Sequence, residues 1–88
     1  MDLVKLAVKI KDINKETNSL LKERRILAER YKFNYDRYES IQDNIDSTAT
    51  DLKKLLDNMK FRAHEITRLI DRNNKAVKLI NIEMGQYK

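Results

Sequence analysis

Apolar residues recur at alternating intervals of three and four almost from one end of this 88-residue chain to the other. We call the residues at this spacing the seam. In the first half of the chain the seam consists of Leu3, Leu6, Ile10, Ile13, Thr17, Leu20, Arg24, Leu27, Tyr31, Asn34, Tyr38, Ile41 and Ile45. In the second half it consists of Ile45, Ala49, Leu52, Leu56, Met59, Ala63, Ile66, Ile70, Asn73, Val77, Ile80 and Met84. A period near 3.5 residues predicts helices that pack lengthwise, as in coiled coils.

The residues that punctuate turns are nearly missing, since the chain has no Pro and a single Gly. A fold of several strands is hard to connect without them. Charged residues make up 38% of the chain and hydrophobic residues 41%, so the chain has enough apolar side chains to bury an interface. The sequence therefore predicts an all-α fold.

The order of the seam intervals changes at Ile45, in the middle of a polar segment of weak helix propensity at 42–50. We predict one helical domain over 1–88, with a helix at about 2–44, a turn at about 44–48 and a helix at about 48–84. Ser47 or Thr48 can cap the second helix. The two helices would form a long antiparallel helical hairpin. The alternative is one continuous helical rod in which the heptad register shifts at this point, a stutter. Weak segments at 14–19 and 33–35 could also divide the first helix and give three helices.

Further apolar residues flank the seam and widen the apolar face to three positions per heptad. They are Ala7, Leu21, Ala28 and Tyr35 in the first half, and Leu55, Leu69 and Ala76 in the second. Such faces suit a helix with more than one neighbour, so the hairpin is expected to assemble into a four-helix or larger bundle. A small chain without Cys needs such support, because it has no disulfide.

Asn73 is the one polar residue in the seam of the second half, and Arg24 is one of three in the first half, with Thr17 and Asn34. A lone Asn in an apolar seam can fix the register and the oligomeric state. Arg24 can extend to solvent or pair with a carboxylate on a neighbouring helix. Both are candidates for setting register or specificity.

Two groups of residues are candidates for a partner interface. Tyr31, Tyr35 and Tyr38 share one helix face before the turn, whereas Phe61 and Ile82 lie away from the seam in the second half. The alternative for the first region is nucleic-acid binding, because basic residues that could hold phosphates lie among its aromatic residues. The nucleic-acid candidates are Arg24, Arg25, Arg30, Lys32 and Arg37.

The leading functional expectation is a non-enzymatic interaction protein that self-associates or docks into a larger assembly as a structural subunit, scaffold, adaptor or small chaperone. No catalytic, cofactor-binding or metal-binding motif stands out, and His64 is the only His. The alternatives are a basic nucleic-acid-binding protein, given the net charge of +5, and a small inhibitor anchored by Phe61 and Ile82. We expect no membrane span, no Sec export, and a location in the cytoplasm or in an assembly such as a virion.

Overall fold

The computed structural model describes residues 3–41 and 47–86, and all of these except Gln86 lie in two long helices. Helix α1 runs over Leu3–Ile41 and helix α2 over Ser47–Gly85. The predicted all-α hairpin is confirmed, and the alternative of a continuous rod is wrong. Helix α2 begins one residue earlier than expected. The rest of the predicted turn, at 44–46, and the side chains of Ser47 and Thr48 lie outside what the structure describes.

The helices are antiparallel and pack along their length. Contacts between them join residues that are farther apart in sequence as the distance from the turn grows. Arg62 reaches back 39 residues to Glu23, and Asn73 reaches back 56 residues to Thr17. The molecule extends over 66 × 14 × 13 Å. Thirty-nine residues at 1.5 Å each make a helix of about 58 Å, so each helix spans nearly the whole rod.

Helix α1 continues through both of the weak segments at which a break could have fallen. In the first, the Thr17 hydroxyl donates to Ile13 O at 3.0 Å; in the second, the Asn34 amide donates to Arg30 O at 2.8 Å. Side chains that could compete for the backbone thus bond to the preceding turn of the same helix. The three-helix alternative is wrong.

Seam residues form the interface between the helices. In α1 the seam residues from Leu6 to Ile41 are all buried or half-buried, and only Leu3 is exposed. The most enclosed cluster consists of Leu20, Ile66 and Ile70, with Leu27 and Leu69 packed against it. Two buried residues belong to α1 and eight to α2. The single partner helix therefore leaves most seam residues of α1 partly accessible, whereas most seam residues of α2 are buried.

The last turn of α2 is tighter than an α-helical turn. Gln86 N donates to Glu83 O at 3.1 Å, an i to i−3 bond of 3₁₀ type. Gly85 has no positive φ, so the helix ends there without a left-handed cap.

Candidate interaction surfaces

A hydrogen-bonded polar pair, Thr17 and Asn73, lies inside the mainly apolar seam. Asn73 is only 5% exposed, and its Nδ2 donates to Thr17 Oγ1 at 3.2 Å. Because the Thr17 hydroxyl also donates to Ile13 O, one hydroxyl bonds both helices. Among the residues described, no buried side-chain nitrogen or oxygen lacks a partner. The amide of Asn73 is thus satisfied in this alignment of the helices, and its role in register stays a prediction.

Arg24, the other register candidate, lies half-buried on α1 and reaches across to α2. Its Nη1 donates to Thr67 Oγ1 at 3.4 Å, and the Thr67 hydroxyl donates to Ala63 O at 3.1 Å. Over 3–41 and 47–86 no carboxylate pairs with Arg24. The long bond to an exposed hydroxyl is a weaker constraint than the Thr17–Asn73 bond.

An ion pair between the helices was not anticipated from the sequence. Arg62 Nη2 lies 2.9 Å from Glu23 Oε2, and Arg62 Nη1 lies 2.6 Å from Glu65 Oε1. All three side chains are about 40% exposed, so the pairs contribute about 0–1 kcal/mol each. The signal in the sequence is positional, because Glu23 and Arg62 directly flank the seam. Their pairing also requires the axial alignment of the two helices, which a turn predicted only at about 44–48 does not fix.

These contacts define two long edges of the hairpin. The Glu23–Arg62 pair marks one edge, where the two helices meet on one side of the seam. Ala28 and Lys60 line a common groove on the other side. The position of a side chain around each helix recurs every seven residues. These two contacts therefore assign every residue that flanks the seam to one edge or the other.

The two edges differ in charge. The basic edge has seven basic and three acidic residues: Lys11, Arg24, Arg25, Lys32, Lys53, Lys60 and Lys78, with Glu39, Asp57 and Asp71. The neutral edge has six of each: Lys5, Lys9, Arg30, Arg37, Arg62 and Arg72, with Asp12, Glu16, Glu23, Asp51, Glu65 and Glu83. Residues 1–44 carry 10 basic and 8 acidic side chains and residues 45–88 carry 9 and 6, so the difference between the edges is not visible along the linear sequence.

The five nucleic-acid candidates do not form one cluster. Arg24, Arg25 and Lys32 lie on the basic edge, whereas Arg30 and Arg37 lie on the neutral edge, where acidic residues balance them. Sequence reasoning missed the α2 residues that complete the basic edge, notably Lys53 and Lys60.

The three clustered tyrosines divide between the seam and the basic edge. Tyr31 and Tyr38 are half-buried in the seam, and Tyr35 is exposed. The rings of Tyr31 and Tyr35 stack with centroids 6.0 Å apart. The hydrogen bond that the Tyr35 hydroxyl donates to Glu39 raises the pKa of Tyr35, because ionisation would set a phenolate beside a carboxylate.

A groove of about 290 Å³ opens on the basic edge between the two helices. Its walls are mainly apolar, and two alanines, Ala28 and Ala63, keep it open. Arg24 and Lys60 stand beside it. The full lining is Arg24, Leu27, Ala28, Tyr31, Met59, Lys60 and Ala63.

Phe61 and Ile82 lie on the outer face of α2, away from both edges. They are 69% and 55% exposed, and they are 21 residues apart, which places them on one line along the helix. His64 is also exposed. Nothing in the structure brings these three side chains to a common site.

The fold and its edges define an antiparallel helical hairpin with one basic and one neutral edge. No protein-family model, curated protein or solved structure matches the chain. Among residues 3–41 and 47–86, no three His, Cys, Asp or Glu side chains are grouped to hold a metal ion. Neither helix, as far as it is described, is long and apolar enough to cross a membrane.

Proposed function

We propose that this chain is a non-enzymatic interaction protein that self-associates through its neutral edge, giving a four-helix bundle that serves as a structural subunit, scaffold, adaptor or small chaperone. The observation that carries the proposal is the apolar surface left on that edge. It comprises exposed Ile26, Phe33, Leu55 and Leu79, with half-buried Leu69 and Ala76. Contiguous apolar side chains on a surface mark interaction sites.

The dimensions of the hairpin support a stable interface. One side of a rod 66 Å long and 14 Å wide presents roughly 900 Å², so two copies could bury about 1,800 Å², within the range of specific protein interfaces. Ile26, Leu55 and Leu79 are 37%, 45% and 66% exposed, so covering each of them stabilises the complex by about 0.5–2 kcal/mol before the costs of association.

Charge selects this edge for contact between identical copies. Two neutral edges bring equal numbers of positive and negative side chains together, whereas two basic edges repel. Leu55 and Leu79 lie at nearly equal distances on either side of the middle of α2. A two-fold axis at that point would therefore place Leu55 of one copy against Leu79 of the other, as a closed dimer requires.

Solution mass against concentration, by sedimentation or light scattering, tests the proposal. The wild-type mass should rise from 10.5 kDa towards twice that value. The L55E/L79E variant should stay monomeric, because burying charges in the interface weakens association by about a hundredfold or more.

The matched control is F61E/I82E, which makes the same number of apolar-to-Glu changes on the same helix at similar exposure. Its mass should follow the wild type, and circular dichroism should show unchanged helicity for both variants. A wild-type chain that stays monomeric into the millimolar range contradicts self-association. Loss of the dimer in F61E/I82E alone would move the interface to the outer face of α2, where the inhibitor alternative places its anchors.

A further inference from the structure

The basic edge combines an apolar strip with cations on both sides. Leu21, Ala28 and Tyr35 follow one another at intervals of seven along α1, and the groove lies between them and α2. Leu21 and Tyr35 are 40% and 41% exposed. A strip at this spacing matches the repeat of a third helix lying along the hairpin.

Cations border the strip on both helices. Arg25 and Lys32 lie outside it on α1, and Lys53 and Lys60 lie outside it on α2. Within the described parts of the chain none of these four forms an ion pair, and of the neutral-edge cations only Arg62 does, with Glu23 and Glu65. The basic edge differs in having few acidic residues beside its cations. The charges of the basic edge are therefore available to a partner.

We propose that the basic edge binds a single amphipathic helix of a partner protein, with an apolar stripe and acidic residues on both flanks. The apolar stripe would lie along Leu21, Ala28 and Tyr35 with one large side chain in the groove, and the acidic flanks would face the two rows of cations. This is the helix-in-groove mode of recognition, in which apolar anchors supply affinity and charge supplies orientation. The inference goes beyond self-association, because it uses the opposite edge and holds for a monomer or a dimer.

The same observations argue against two other occupants. A second copy of the chain would have to bring an acidic face. Its basic edge repels, and its neutral edge offers no excess of negative charge. A nucleic acid would place phosphates over the apolar side chains of the strip. One face of the Tyr35 ring is stacked on Tyr31, so a base could stack only on the other face.

Binding of a synthetic helical peptide tests the inference. The probe has about three heptads, Leu at the seam spacing and Glu at the flanking positions, and a fluorophore for anisotropy. One control peptide replaces Leu by Ala, and another replaces Glu by Lys. We expect the Leu/Glu peptide to bind and each control peptide to bind at least about tenfold more weakly, because each lacks one of the two contacts.

Two pairs of protein variants locate the site. R25E/K60E reverses charge on the basic edge, and its control R30E/R72E makes the same change at exposed positions of the neutral edge. L21Q removes an apolar contact from the strip, and its control V8Q changes an exposed side chain on the outer face of α1. We expect R25E/K60E to weaken peptide binding by about thirtyfold or more, L21Q by about fivefold, and either control by less than about twofold.

Equal effects of R25E/K60E and R30E/R72E would overturn the inference, since binding would then follow net charge alone. So would binding of the Ala peptide as tight as that of the Leu peptide. A duplex DNA or an anionic vesicle that binds more tightly than the Leu/Glu peptide, with the same dependence on R25E/K60E, would assign the edge to that ligand instead.

Discussion

The Thr17 hydroxyl joins the two helices through a hydrogen bond to Asn73, the buried polar residue of the seam. It accepts from Asn73 Nδ2 and donates to Ile13 O, so both directions of its hydrogen bonding are used. A buried amide that loses its partner costs about 1–3 kcal/mol, whereas removal of both partners is close to neutral. The Thr17–Asn73 pair therefore destabilises other alignments of the two helices more than it stabilises the native one.

Substitutions at the two positions should be strongly non-additive. We expect T17V to lower the free energy of unfolding by about 1–3 kcal/mol, because Asn73 loses its acceptor. The double variant T17V/N73L should recover most of that loss, since no polar group is then left without a partner. Chemical denaturation measures both values, and T67V, at an exposed hydroxyl, is the control, with an expected change within about 0.5 kcal/mol. Additive effects of T17V and N73L would contradict the coupling.

Helix α1 depends more on packing than on local propensity. Its segment at 14–19 contains Asn, Thr and Ser, which favour turns and caps over helix interiors. It is nevertheless continuous from Leu3 to Ile41, because one row of its side chains lies against α2. Helix α2 covers that row incompletely, and α1 is the element that gains most from a further neighbour.

Replacing an exposed, weakly helical residue in α1 should stabilise the fold. N18A should raise the free energy of unfolding by about 0.5 kcal/mol, because Asn18 is exposed and Ala has the higher helix propensity. N58A, at an exposed site in α2, should give a similar gain and controls for a general effect of losing an Asn. Thermal or chemical unfolding measures the difference. A loss of stability in N18A alone would show that this amide makes a contact on which α1 depends.

The sequence predicts which residues of each helix face the other helix. It does not predict which residues of the two helices stand opposite one another along the edges. Burial in α1 follows the seam because a period near 3.5 leaves one row of side chains facing the partner helix. The same spacing already separates Arg25 from Arg30, since they flank the seam on opposite sides. Which residues of α2 share an edge with each of them follows from the antiparallel direction, which the sequence predicts. Which residues stand opposite one another depends on the axial alignment of the helices, and for that reason the Glu23–Arg62 pair could not be derived from sequence alone.

The whole molecule is a cationic rod whose two edges are expected to respond to salt in opposite ways. Net charge of +5 makes identical copies repel, while contact through the neutral edge is mainly apolar. Contact of the basic edge with an acidic helix is an attraction between opposite charges. Salt screens both effects over about 10 Å at 0.1 M and over shorter distances as its concentration rises.

Raising the salt concentration should therefore strengthen self-association and weaken peptide binding. Between about 0.05 M and 0.5 M salt, we expect the dissociation constant of the dimer to fall about threefold and that of the Leu/Glu peptide to rise about tenfold. Sedimentation measures the first and fluorescence anisotropy the second. Shifts of both constants in the same direction would mean that the two edges do not have the separate roles assigned to them.

The Thr17–Asn73 pair lies far from the turn, where it can discriminate between correct and slipped alignments of the two helices. Closure that starts beside the turn loses the least loop entropy, and apolar side chains near the turn tolerate a slip of one heptad. Such a slip would set Asn73 opposite Ile10, which offers its amide no acceptor, or opposite Arg24, which offers only donors. We therefore expect the Thr17–Asn73 pair to disfavour a hairpin that has slipped by one heptad, because a slipped chain would bury the Asn73 amide without a partner.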